Sequence, residues 1–92
     1  MIGSVDCEYI IYDAGSLKEK RAVLQRIMTR AKQKYNISIS EIGFQDTWQR
    51  TKIGIVAITS SKMATERELN NVLKFIDSFP EIERTQSVFE WF

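Results

Sequence analysis

Two repeat lengths govern the apolar residues of this chain, and the order in which they alternate leaves few folds open. Val5, Cys7, Tyr9 and Ile11 alternate with Ser4, Asp6, Glu8 and Ile10, which predicts a strand from about Ile2 to Tyr12 with one buried face. After the turn Asp13-Ala14-Gly15, Ser16 and Glu19 form an S-x-x-E capping box, the hydroxyl satisfying one free N–H and the carboxylate another, so a helix starts at Leu17. At about 100° per residue, Leu17, Leu24, Ile27, Met28, Ala31 and Tyr35 gather on its core side. Asn36 ends it. The run 37–44 alternates again, with Ile42 out of phase with Ile37 and Ile39 in the manner of a bulge. Beyond Gln45-Asp46-Thr47, the run from Trp48 to Thr59 carries β-branched residues on both faces and reads as a central strand. Ser60 or Ser61 caps a second helix to about Ser78, with Leu69, Val72, Leu73 and Ile76 inward, and Phe79-Pro80 closes it. Glu83 to Trp91 makes the last strand.

The order β-α-β-β-α-β in 92 residues predicts a single domain over 1–92: two right-handed crossovers, a four-stranded antiparallel sheet, and both helices on one face. This is the α+β ferredoxin-like architecture. The second sheet face stays uncovered, and Val56 and Ile58 are expected there with Ile10 and Tyr12 beside them on the first strand. Such a face offers a contact surface to a second copy of the chain or to another protein, unless a loop or the Trp91-Phe92 tail folds over it.

Several function classes are excluded by what the chain lacks. No apolar run approaches the roughly 20 residues that cross a bilayer, and Asp6 and Glu8 stand where a signal peptide needs apolar residues. A cytoplasmic protein that does not enter membranes is expected. There is no histidine, and the single cysteine, Cys7, makes neither an internal disulfide nor a Cys–His pair; it reads as a core thiol. The four glycines form no phosphate-cradling loop. Asp6 and Glu8 share a strand face without a third ligand, as solvated carboxylates do. No enzyme activity, cofactor or metal is expected.

Charge is the informative quantity. Seven of thirteen basic residues lie between Lys18 and Lys34, where Glu19 is the only acid, so the first helix carries +6 and the rest of the chain −5. Arg26, Arg30 and Lys34 form an i, i+4, i+8 row pointing away from the apolar stripe. Lys18, Lys20 and Arg21 sit in the first turns, against the helix dipole, where a bound phosphate or carboxylate would relieve them. Alternatively, Asp13, Glu41 or Asp46 pairs with these cations, and their stems cover core edge. Trp48, beside Arg50, stacks on a base if exposed and anchors the hairpin if buried. No sheet signature of an RNA-recognition platform is present, so nucleic-acid contact would run through phosphates, without DNA sequence specificity.

The segments Ser-Leu-Lys-Glu-Lys-Arg at 16–21, Ile-Ser-Ile-Ser-Glu-Ile-Gly at 37–43 and Gln-Asp-Thr-Trp-Gln-Arg at 45–50 resemble the YlxP-like family of small bacterial proteins, over essentially the whole chain. The turn Tyr-Asp-Ala-Gly before Ser16 departs from the Leu-Pro-Gly-Ala toward which relatives tend. The resemblance implies a ferredoxin-like fold and a bacterial cytoplasmic protein, often encoded among translation-initiation and ribosome-maturation genes, with no established activity. Charge and resemblance together lead to the expectation of a non-enzymatic accessory protein that binds structured RNA, ribosomal RNA or a ribosomal particle. Lys18, Lys20, Arg21, Arg26, Arg30, Lys34, Trp48 and Arg50 are the candidate contacts. The alternative is a homodimeric regulatory or small-molecule-sensing domain that associates through Ile10, Tyr12, Val56 and Ile58.

Overall fold

The computed structural model describes residues 1–92. Its elements are β1 (Ile2–Ile11), α1 (Leu17–Lys34), β2 (Ile37–Gly43), β3 (Arg50–Ile58), α2 (Lys62–Asp77) and β4 (Ile82–Trp91). The strands stand side by side in the order β2-β3-β1-β4, every neighbouring pair antiparallel. Each β-α-β crossover therefore skips one strand, and its right-handedness brings both helices to the same sheet face. This is the ferredoxin-like arrangement.

The alternating residues of β1 (Val5, Cys7, Tyr9, Ile11) and of β3 (Ile53, Ile55, Ala57) are buried under the helices. Leu24, Ile27 and Ala31 of α1 and Leu69, Val72, Leu73 and Ile76 of α2 complete one continuous core. Ser16 caps α1, its Oγ accepting from Glu19 N at 3.1 Å, while the Glu19 carboxylate accepts from Gly15 N at 2.8 Å. Ser61 caps α2 through Ala64 N at 3.1 Å. Trp91 belongs to this inner layer: a Cβ at Gly3 would stand 2.6 Å from its ring, so only glycine lets the indole lie on β1.

Burial governs the polar groups inside. The Cys7 thiol is pushed up to about 11, chiefly by desolvation. Desolvation likewise raises the Tyr9 hydroxyl well above the usual tyrosine range, and that oxygen has no well-formed hydrogen bond, only the weakly bonding Cys7 thiol near it. Nearby, Arg84 bridges β4 to the end of α2 through both Asp77 oxygens, at 3.2 and 2.9 Å.

The open face differs from the sequence expectation in its layout. Ile10, Tyr12, Val56 and Ile58 are all exposed, but antiparallel pairing sets Ile2 opposite Ile58 and Ser4 opposite Val56, and places Ile10 opposite Arg50. Ile10 and Tyr12 thus lie at the far end of the sheet from Val56 and Ile58, with Asp6 and Glu8 on the strand between them. The four residues fall in two groups, with Asp6 and Glu8 between them on β1 and Lys52 and Val88 opposite those carboxylates. Trp91 is turned inward, and Phe92 remains exposed at the edge of the Val56 patch.

Candidate nucleic-acid interface

The cations of α1 separate into two groups once their partners are assigned. Lys20 is completely buried, and its Nζ donates to the Phe44 carbonyl at 2.5 Å and meets Glu41 Oε2 at 2.9 Å. The same carboxylate accepts from Thr51 Oγ1 at 2.6 Å. Lys20 is therefore no surface ligand for an anion. The internal pairing with Glu41 holds, because β2 alternates Ile37, Ile39 and Glu41 toward the helices and sets that carboxylate against the first turn of α1. The ladder shifts register between Glu41 and Gly43, and Ile42 turns out to the open face, where the irregular spacing suggested a bulge.

Arg26 is engaged as well, in an exposed ion pair with Glu81 after α2, and this arginine holds the Glu81 carboxyl below its ordinary range. Arg30 lies over the Phe79 ring at 5.9 Å, and Lys34 over the Phe75 ring at 4.8 Å. The predicted row is exposed, but it leans toward α2. Aromatic rings steer a cation without cancelling its charge. Lys18, Arg21, Arg30, Lys32 and Lys34 remain exposed and in no intramolecular ion pair. Lys32, counted only in the net charge by sequence reasoning, joins the candidate contacts.

Helical geometry arranges these five cations. At about 100° per residue, Arg30 and Lys34 fall on the flank beside α2, Arg21 and Lys32 on the opposite flank, and Lys18 on the crest at the start of the helix. Past Lys18 the exposed crest between the flanks carries Ala22, Gln25, Thr29 and Gln33, with the paired Arg26 on its α2 side. An 18-residue helix is about 27 Å long. It presents two cationic edges, one on either side of a strip of amides and a hydroxyl.

Lys20 also ties the β2–β3 loop to this helix. Phe44, whose carbonyl it holds, stands at φ 56°, a left-handed backbone that costs a non-glycine residue about 1–2 kcal/mol. Ile11 N donates to Gln49 O at 3.0 Å, fastening the other end of the loop to β1. The loop 44–49 thus sits at the end of the molecule that carries the start of α1, with Trp48 half-exposed on it. Lys20 thereby joins segment 16–21 to the loop 44–49, from which it is separate in the sequence.

Arg50 does not belong to that surface. It lies on the open sheet face, paired with Glu8 at 2.8 Å and stacked on the Phe44 ring at 4.4 Å, because its position in β3 points away from the helices.

Residues 2–88 match the family model described as "Protein of unknown function (DUF503)". The chain belongs to the DUF503 family. It is 70% identical, over all 92 residues and the full length of both chains, to "Uncharacterized protein YlxP" of Bacillus subtilis (strain 168). DUF503 membership agrees with the resemblance carried by the segments at 16–21, 37–43 and 45–50. No helix is long and apolar enough to cross a membrane.

Proposed function

We propose that this DUF503 protein is a non-enzymatic accessory factor that docks on structured RNA, such as ribosomal RNA in a ribosomal particle, through the exposed side of α1. One observation carries the reading: of seven cations on α1, the two engaged by carboxylates are Lys20 and Arg26, and the other five stay exposed and unpaired. Past Lys18, a crest of amides and a hydroxyl between two cationic edges suits two phosphate strands better than one, which favours folded RNA over a free single strand. Trp48, exposed beside the start of the helix, supplies a surface on which an unpaired base stacks. The family's frequent setting among translation genes points in the same direction.

Titration of purified ribosomal subunits or a structured ribosomal RNA fragment tests this proposal. Binding at micromolar concentration or tighter is expected, lost in Arg30→Glu/Lys34→Glu and retained in Val56→Asp. Binding unchanged by the charge reversals refutes it. Homodimerisation through Ile10, Tyr12, Val56 and Ile58 has weaker support, because the first two lie at the opposite end of the sheet from the last two. Sedimentation across concentrations separates the readings.

A further inference from the structure

The open sheet face holds a second surface, of opposite character to α1. Antiparallel register sets Ser38, Val56, Ser4 and Glu90 in one row across the four strands, and Ser40, Gly54, Asp6 and Val88 in the next. The three serines and Gly54 give the rows a low floor, over which Ile42, Val56 and Phe92 form apolar walls around a groove of about 320 Å³. Gly54 leaves room there for the neighbouring side chain, as a Cβ would stand 3.1 Å from Ile42 Cδ1.

Charge decides what such a groove accepts. Asp6 lines it and Glu90 stands in the adjoining row, and neither takes part in any ion pair. The cations of this face lie outside the groove: Lys52 stands in the next row, opposite Glu8, and Arg50 lies at the far end of the sheet, held by Glu8. The groove itself is lined by a carboxylate and no cation, so an RNA phosphate finds no partner in it. A second copy docked face to face about a two-fold axis through the groove would gather four carboxylates, Asp6 and Glu90 of each copy, within one small contact. A partner segment carrying lysine or arginine among apolar side chains meets both requirements, filling the groove and pairing the carboxylates.

We propose that the Val56 end of the open sheet face docks a cationic, amphipathic segment of a protein partner. The molecule would then be two-sided, with RNA phosphates on the helix face and a basic protein segment on the sheet face. The two sites share no residue, so either stands if the other fails.

The test uses a synthetic decapeptide of leucine and lysine, and its counterpart with glutamate at every lysine position, titrated into the labelled full-length protein by two-dimensional amide NMR. The lysine peptide is expected to shift the amides of Ser4, Asp6, Gly54 and Val56, and the glutamate peptide to leave them unmoved. Asp6→Lys/Glu90→Lys should weaken the lysine peptide at least tenfold, and Arg30→Glu/Lys34→Glu should not. All four positions are on the surface, and the comparison between peptides needs no variant. Shifts elsewhere, equal response to both peptides, indifference to Asp6→Lys/Glu90→Lys, or no response at millimolar peptide each overturn the proposal. So does a concentration-dependent dimer of the free protein that Val56→Asp abolishes, which would assign the face to a second copy.

Discussion

Replacing Lys20 with methionine keeps the aliphatic stem and removes the ammonium, isolating what the buried pair contributes. Taking one partner from a buried ion pair costs about 3–5 kcal/mol, because the other charge is left uncompensated. The Glu41 side chain is 17% exposed and keeps the Thr51 hydroxyl at 2.6 Å, which draws the expected cost to the lower end of that range. The Phe44 carbonyl also loses its donor, a loss of about 1 kcal/mol in its own right. Lys20→Met is therefore expected to destabilise by about 3 kcal/mol and to lower the urea midpoint by about 1 M or more. In the double variant Lys20→Met/Glu41→Gln no buried charge remains, so the loss should fall short of the sum of the singles by about 1.5–3 kcal/mol. The backbone amides of 44–49 should broaden or shift in Lys20→Met, since Lys20 is what pins the left-handed Phe44. Additive losses, or a single-variant cost under about 1 kcal/mol, would refute the view that this pair clamps the loop to the helix.

Other consequences are checked by the same denaturation assays. Tyr9→Phe removes a buried hydroxyl whose one neighbouring polar group is the weakly bonding Cys7 thiol, and is expected to leave stability equal or raise it by about 1 kcal/mol; a loss of that size would show the hydroxyl to be firmly bonded. With the folded Cys7 thiol raised to about 11 from 9.0, the unfolded chain loses its proton first. Stability should therefore be undiminished by this group below pH 9 and fall as pH rises from there toward 11, less steeply in Cys7→Ala. Gly3→Ala forces a methyl group against Trp91 and Thr65 and should cost about 1–3 kcal/mol, with a change in Trp91 fluorescence.

Much of the fold is legible in the sequence because its signals are local. The capping box at Ser16, the shift from a two-residue to a helical period at Leu17, and the proline after Phe79 each act within a few residues. Ile42 announced its own irregularity. The partners of charged side chains were not legible in the same way. The helical angle of Lys20 set it near the apolar stripe, but the choice among Asp13, Glu41 and Asp46 depended on how β2 lies beneath α1, which is a tertiary fact. The layout of the open face is hidden for a related reason: alternation tells which side a residue faces, and only the antiparallel register tells that Ile10 lies beside Arg50 and far from Val56. Arg50 shows the same limit, since its neighbour Trp48 lies in a loop while Arg50 itself begins β3. The crest of α1 escaped notice because glutamine, threonine and alanine carry no charge signal.

The slope of affinity for a structured RNA against salt tests the segregated charge most directly. With four or five phosphates neutralised, log affinity should fall against log salt with a slope of about −3 to −4, and each of Arg30→Ala, Lys32→Ala and Lys34→Ala should reduce it by about 0.7–0.9. A slope near zero, or one that these substitutions leave unchanged, would contradict the account.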